Sequence, residues 1–175
     1  MTSKLDVVGI GNAMVDALIQ STQVEIEKHD INRDSMNLID ENLKNNLHEN
    51  YSIKEMVGGG SLGNSMFGIT SFGGNGSFIG KIKNDEVGVF LQKDMVREGL
   101  QFPLGFTSPD ISTGCCTIFV EEDGTRTMCT FLGAGTLIGP DDINDQHIKN
   151  HKIAYLEGYL WDNENAKKAM KKMVD

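Results

Sequence analysis

The sequence predicts an α/β fold, a mostly parallel sheet with helices on its faces and a small antiparallel piece beside it. Three observations carry this. Four short runs, "LDVVGIGN" near the start, "GSFIGKI" at 76–82, "CCTIFVEE" at 115–122 and "KIAYLEGYL" at 152–160, are rich in β-branched or aromatic residues and bounded by glycine or polar residues, as buried strands are. Amphipathic stretches lie between them, and strand alternating with helix predicts βαβ units. Residues 14–39 and 113–131 break that rhythm by alternating polar and apolar positions, and the second carries "EEDGTR", whose Asp123-Gly124 pair is a hairpin signal.

The helices follow in order: "DENLKNNLHENY", "SLGNSMFGITSFG", "NDEVGVFLQKDMVREG" and "DNENAKKAMKKMVD". In the third, Val87, Phe90, Leu91, Met95 and Val96 fall mainly on one face; Asn84 or Asp85 caps its start, and Gly99 stops it. The fourth runs to the C-terminus without glycine or proline and reads as mid-helix sequence. The expectation is a truncated domain with core-facing surface left bare, Leu156, Tyr159, Met170 and Met173 among its members.

At 175 residues the chain suits one domain with a proper core. A net charge of -9 argues against a nucleic-acid partner, which calls for a basic patch. Cys115, Cys116 and Cys129 have no metal-binding spacing, and an odd, sparse count fits a reducing cytoplasm. Adjacent on a strand, Cys115 and Cys116 face opposite ways, which leaves one to line a pocket with Met128 and Thr130, or simply to pack. No run of 18 apolar residues occurs, so no membrane span is expected. His147 and His151 have helical i,i+4 spacing but no third ligand, so no metal is expected and a solvated face is the reading.

Two nucleotide motifs fail. "NGSFIGKI" places Asn75 where a mononucleotide loop requires glycine and Ile82 where it requires a hydroxyl. "GIGNAM" places Met14 where the dinucleotide fingerprint needs a small residue, and "VDALIQ" after it reads as a strand. Asn12 and Asp16 stand four residues apart at a strand end, either facing a ligand crevice or making a turn hydrogen bond.

The run "VGGGSLGNS" is the other candidate. Gly58, Gly59 and Gly60 let backbone approach a ligand, Ser61 is placed to cap the next helix, and Asn64 lies in its first turn. The loop has no lysine or arginine for a phosphate. Carboxylate, carboxamide and free N–H groups suit a polyhydroxyl compound, because each hydroxyl both donates and accepts.

"GIGNAMVD", "GGGSLGNS" and "FIGKIKNDEVGVFLQKDMVREGL", in series, resemble the N-terminal half of the PfkB (ribokinase-like) carbohydrate kinases, closest to the adenosine-kinase-like branch. "STGCCTIFVEEDGTRTM" is similar to that branch's lid hairpin and "IAYLEGYLW" to its next core strand. The resemblance covers residues 1–175 and implies a ribokinase-like three-layer sandwich plus a β-lid, with lid segments at about 14–39 and 113–131. It implies ATP-dependent phosphorylation of a sugar or nucleoside hydroxyl, with ATP and magnesium as cofactors of the full-length enzyme and neither well bound by this chain. Asp16 would hold two ribose-type hydroxyls with Asn12 assisting, Gly59 and Gly60 would offer backbone, Asn64 would bond another hydroxyl, and Glu157 stands at a sugar-contacting position in ribokinase-like members. Arg126 would meet the transferred phosphate or be a solvated turn residue. The family's catalytic "Gly-Ala-Gly-Asp" has no counterpart: "GAG" at Gly133, Ala134 and Gly135 is followed by Thr136 at the wrong position. No catalytic residue is therefore assigned here, and a non-catalytic sugar- or nucleoside-binding module is the alternative. The partner is a small molecule; pairing of two chains through the lid stays open.

Overall fold

In a computed structural model that describes residues 5–108 and 110–174, the chain begins with β1 (Leu5–Ile10), β2 (Met14–Gln20), α1 (Gln23–Glu27), β3 (Met36–Leu38) and α2 (Glu41–Asn50). Next come β4 (Glu55–Gly59), α3 (Ser61–Ser71), β5 (Gly76–Ile79), β6 (Ile82–Lys83), α4 (Glu86–Arg97) and β7 (Phe106–Ser108). The chain continues through β8 (Gly114–Val120), β9 (Arg126–Phe131), α5 (Asp145–Lys149), β10 (His151–Leu156) and α6 (Glu164–Val174). Short 3-10 turns occupy Gly133–Leu137, Pro140–Asp142 and Gly158–Asp162.

The expected α/β architecture is present. A parallel sheet of order β10-β1-β5 has β1 at its centre. Alternation along β1 sends Val7 into one core with Leu62 and Met66 of α3 and Leu91 and Met95 of α4. Val8 and Ile10 enter a second core with Ala166, Ala169, Met170 and Met173 of α6. Helix, sheet and helix therefore stack as three layers. Local signals place α4 as read: the Asp85 side chain accepts from Gly88 N at 2.8 Å, and Gly99 takes φ +81° just beyond the end. Val96, however, is 61% exposed, so the apolar stripe is narrower than its spacing suggests.

The lid is larger than the sequence indicated. Five strands run in the order β3-β9-β8-β2-β4, and β2–β8 and β3–β9 are parallel while β2–β4 and β8–β9 are antiparallel. "CCTIFVEE" lies in this sheet, beside the central one, and its antiparallel hairpin with β9 is as the 113–131 pattern predicts. Nothing local predicts the strand β4 leading into the glycines, because "EMVGG" has neither β-branched density nor alternation. α1 and α2 back the lid over a third core of Ile19, Ile26, Leu47, Phe119 and Cys129.

Other expectations are corrected. "GSFIGKI" breaks into β5 and β6, which lie in different sheets, and "KIAYLEGYL" ends as a strand at Leu156. Of the residues expected to be bare, Met170 and Met173 are buried and Leu156 is half-buried, while Tyr159 is exposed, as are its neighbours Ile153, Tyr155 and Trp161. His151 is buried, not solvated: its ring bonds Ser77 Oγ and the His147 carbonyl, each at 2.8 Å.

Candidate functional site

The polypeptide crosses between central sheet and lid at several points, and they gather in one place. Gly11–Ala13 carries the chain from β1 into β2, and Gly60 carries it from β4 back to α3. Gly114, at the start of β8, pairs with Met14, which also pairs with Gly59. Gly135, after β9, lies so close to Asn12 that a Cβ there would stand 2.9 Å from its Oδ1. Gly60 has φ +80°, a conformation that side chains disfavour, which makes this crossing a glycine position.

Glu157 holds the junction together. It is buried, and its two carboxylate oxygens accept four hydrogen bonds. One receives Asn12 N at 2.7 Å and Asn12 Nδ2 at 3.0 Å; the other receives Ser61 Oγ at 2.6 Å and Leu62 N at 3.1 Å. The residue preceding α3 is Gly60, not Ser61, so the cap comes from a carboxylate 95 positions away, placed where the helix dipole favours negative charge. Ser61 reinforces that carboxylate in place of capping. Gly58 N is likewise engaged, donating to Asp94 at 3.0 Å, and Asp94 is paired with Arg97.

Asp16 is the opposite case. It lies on β2, partly buried, and among the described residues its carboxylate has no hydrogen-bond donor and no cation. Burial alone pushes its pKa above the ordinary carboxylate value. A Cβ on Gly59 would fall on that carboxylate, so the glycine is what leaves room for it. Across the lid one row of paired residues runs Val57, Asp16, Cys116, Thr130, Leu38, all facing the same way. Cys116 Sγ lies 3.4 Å from Thr130 Oγ1, and Leu38 is 65% exposed. The face thus pairs one free carboxylate with exposed apolar side chains.

The structure brings Asn12, Asp16, Gly59, Gly60 and Glu157 into contact with one another or with shared neighbours. Asn64 is exposed in the first turn of α3, its N–H donating to Gly60 O at 3.0 Å. Arg126 lies outside the cluster. It pairs with Val120 at the hairpin end, four residues or roughly 13 Å along the strand from the Asp16 row. The bracing of Asn12 by Glu157 and the packing of Gly135 on Asn12 were beyond sequence reasoning; a lone acid after a strand carries no local sign of its partners. A separate cavity of about 380 Å³, lined by Ser61 and residues 155–159, does not reach Asp16.

Residues 26–175 match the pfkB family carbohydrate kinases, and the chain belongs to that family. A probable sugar kinase from Rhizobium etli CFN 42 superposes with a TM-score of 0.87 at 31% identity, over 98% of this chain and 52% of that one. The adenosine kinase from Sinorhizobium meliloti superposes with the same TM-score at 35% identity and the same coverage. An uncharacterized sugar kinase of Archaeoglobus fulgidus is 28% identical over 96 residues, 55% of this chain and 38% of its own length. The chain therefore spans about half the length of these solved kinases.

The family implies ATP and magnesium for a full-length enzyme, and its catalytic "Gly-Ala-Gly-Asp" motif has no counterpart in this sequence. No group of three His, Cys, Asp or Glu side chains among the described residues is placed to hold a metal. The N-terminus of α3 is filled by the Glu157 carboxylate, and Gly58 N serves Asp94. The glycine loop is a structural junction whose donors Gly58 N, Ser61 Oγ and Leu62 N are already engaged.

Proposed function

We propose that this chain is the hydroxyl-recognising part of an ATP-dependent kinase acting on a nucleoside or sugar. The observation that carries the reading is Asp16: a partly buried carboxylate without a partner among the described residues, at the junction of lid and central sheet, beside a glycine that makes room for it. Such a group gains most from vicinal hydroxyls, since each donates to it and charged acceptors make the stronger hydrogen bonds. Asn12 and Glu157 set the backbone from which β2 departs; Glu157 acts as a brace, its oxygens already serving four donors. Asn64 and the Gly59–Gly60 backbone complete the polar side. Exposed Leu38, Met36 and Val57 support a ligand with an apolar portion, which favours a nucleoside over a bare sugar. Arg126 meets the transferred phosphate if lid closure carries the hairpin inward.

A second reading, a non-catalytic nucleoside- or sugar-binding module, is favoured by one observation, the lack of a counterpart to the family's catalytic "Gly-Ala-Gly-Asp" motif in this sequence. Both readings make the same demand on Asp16. Calorimetric titration of the purified chain with a nucleoside and sugar panel tests it, followed by Asp16→Ala. The substitution weakens the best ligand by about 1.5–3 kcal/mol, roughly 10- to 150-fold. Equal affinity in the two proteins would remove both readings. The chain alone, to which no catalytic residue is assigned, releases no ADP under either reading. ADP release is therefore assayed in a protein whose chain also carries the family's "Gly-Ala-Gly-Asp" portion: turnover there supports the kinase, and ligand binding without it favours the module.

A further inference from the structure

α4 carries a buried acid that its apolar face does not account for. Asp94 is 6% exposed, next to Met95 and one turn from Leu91, both of which are buried in the first core. A carboxylate in such a place destabilises the fold unless it is hydrogen-bonded and paired. Its two oxygens have separate tasks. Oδ1 pairs with Arg97, whose side chain is 69% exposed, and Oδ2 accepts Gly58 N at 3.0 Å. Among the described residues β4 is an edge strand, paired with β2 alone. The Gly58 N–H is therefore satisfied by a helix side chain where no neighbouring strand serves it. A Cβ at Gly58 would stand 2.6 Å from Asp94 Oδ2 and 2.8 Å from Phe67 Cζ, so this stretch of β4 is seated directly on α3 and α4.

Alternation puts Gly59 on the opposite face from Gly58, where it leaves room for the Asp16 carboxylate. The first turn of α4 makes a matching attachment on the far side of β2. Asp85 accepts Thr113 N at 2.9 Å and Thr113 Oγ1 at 2.7 Å, and Thr113 leads into β8. Since β2 lies between β8 and β4, two carboxylates of one helix hold the strands on either side of Asp16. We propose that Asp94 is a positioning residue for recognition: by holding Gly58 it fixes β4, and with it the slot beside Gly59 that the Asp16 carboxylate occupies. Arg97 balances the charge of the holder from the solvent side. The proposal rests on the reading of Asp16 as the hydroxyl-recognising group, and adds the residue that keeps that group in place.

Asp94→Ala and Asp94→Asn test it together. Both lose the charge and the Arg97 pair, but only the asparagine keeps an acceptor oxygen for Gly58 N. The titration of Asp16 is followed by carboxyl-carbon NMR, its signal assigned by its loss in Asp16→Asn. In the alanine variant water enters the slot and the Asp16 midpoint moves down toward 3.8; in the asparagine variant it stays at the wild-type position. The Gly58 amide of the wild type exchanges at least about tenfold more slowly than in an unfolded chain, and the alanine alone removes that protection. Affinity for adenosine, the probe nucleoside, falls about tenfold in the alanine and less than about threefold in the asparagine. On an Asp16→Asn background Asp94→Ala brings no further loss, because the two residues act as one unit. An unmoved Asp16 midpoint in the alanine, a midpoint moved equally by both variants, or a freely exchanging Gly58 amide in the wild type would overturn the proposal. So would a lower melting temperature as the only effect, which would make Asp94 a stabilising residue and nothing more. The wild-type exchange and the asparagine midpoint are read even where the alanine does not fold. Absence of adenosine binding by the wild type counts against the nucleoside reading alone, since titration and exchange decide the positioning without a ligand.

Discussion

Asn12 and Glu157 stand 145 positions apart, and one carboxylate oxygen of Glu157 accepts both the backbone and the side-chain N–H of Asn12, at 2.7 and 3.0 Å. The other oxygen ties down the start of α3. A buried charge thus pins three segments: the exit of β1, the entry of α3 and the turn after β10. Asp16 lies four residues beyond Asn12, so the position of an unpartnered carboxylate is inherited from a fully partnered one.

Glu157→Gln tests that inheritance. An amide keeps one acceptor oxygen and turns an NH2 group toward two donors that remain buried. Leaving such donors unsatisfied costs about 1–3 kcal/mol. A urea midpoint lowered accordingly, with unchanged slope, is the expected result; an unchanged midpoint would show that the four bonds are not holding the junction.

Much of this was legible locally. Asp85 and Gly99 bracket α4, "VDALIQ" reads as a strand, and the three glycines mark the crossing at Gly60, since each signal lies within a few residues of what it specifies. What escaped depends on partners far away in sequence. β4 is a strand because Met14 to Leu18 pair with it, not because "EMVGG" favours one. "GSFIGKI" breaks at Gly80, where a Cβ would strike the Phe78 ring and stand 3.0 Å from Gly11 O, a clash no composition reveals. The family membership implied by the blocks in series is borne out, whereas the bare surface was misassigned to Met170 and Met173, which α6 turns inward.

The lid's backing layer should respond to acid. His48 on α2 lies 2.9 Å from Thr117 Oγ1 and 3.9 Å from Cys115 Sγ, with Lys44 one turn away. Burial first, and the Lys44 charge second, lower its pKa below 6.5. The unfolded chain then binds more protons than the folded one below that pH, so this contribution is complete above pH 6.5 and is lost as pH falls through the folded value. His147, lowered chiefly by burial, acts in the same direction, so the measurement is the difference between wild type and His48→Gln. Thermal melts from pH 7.5 downward should show a smaller loss of stability in the variant. Parallel curves would mean that His48 does not titrate differently on unfolding.

The cysteines should be silent in the folded protein. All three are buried and free. Burial pushes Cys115 and Cys129 up to about 12 and Cys116 to about 11. Since the thiolate is the reactive form, a disulfide reagent at pH 8 should label none on the timescale of native mixing and all three once denaturant unfolds the chain. Rapid labelling of one thiol in buffer would place it in an opening lid.

Asp16 offers the sharpest separation of stability from recognition. Its pKa is raised by burial, so the folded state binds more protons than the unfolded state above the ordinary carboxylate value of 3.8. The sign follows: stability declines as pH rises from 3.8 through the folded value, and at neutral pH the ionised group weakens the free protein. Asp16→Asn removes that charge without changing shape beside Gly59. At pH 7 the variant should melt at a higher temperature than wild type, the advantage should vanish as the pH falls below 3.8, and ligand affinity should fall at the same time. A destabilising carboxylate retained at a junction is expected where function requires it. Matched melts and calorimetric titrations at pH 7 decide the point. An asparagine variant that is less stable yet binds equally well would mean that Asp16 is a structural residue with partners in solution, and the recognition site would have to be sought elsewhere on the lid.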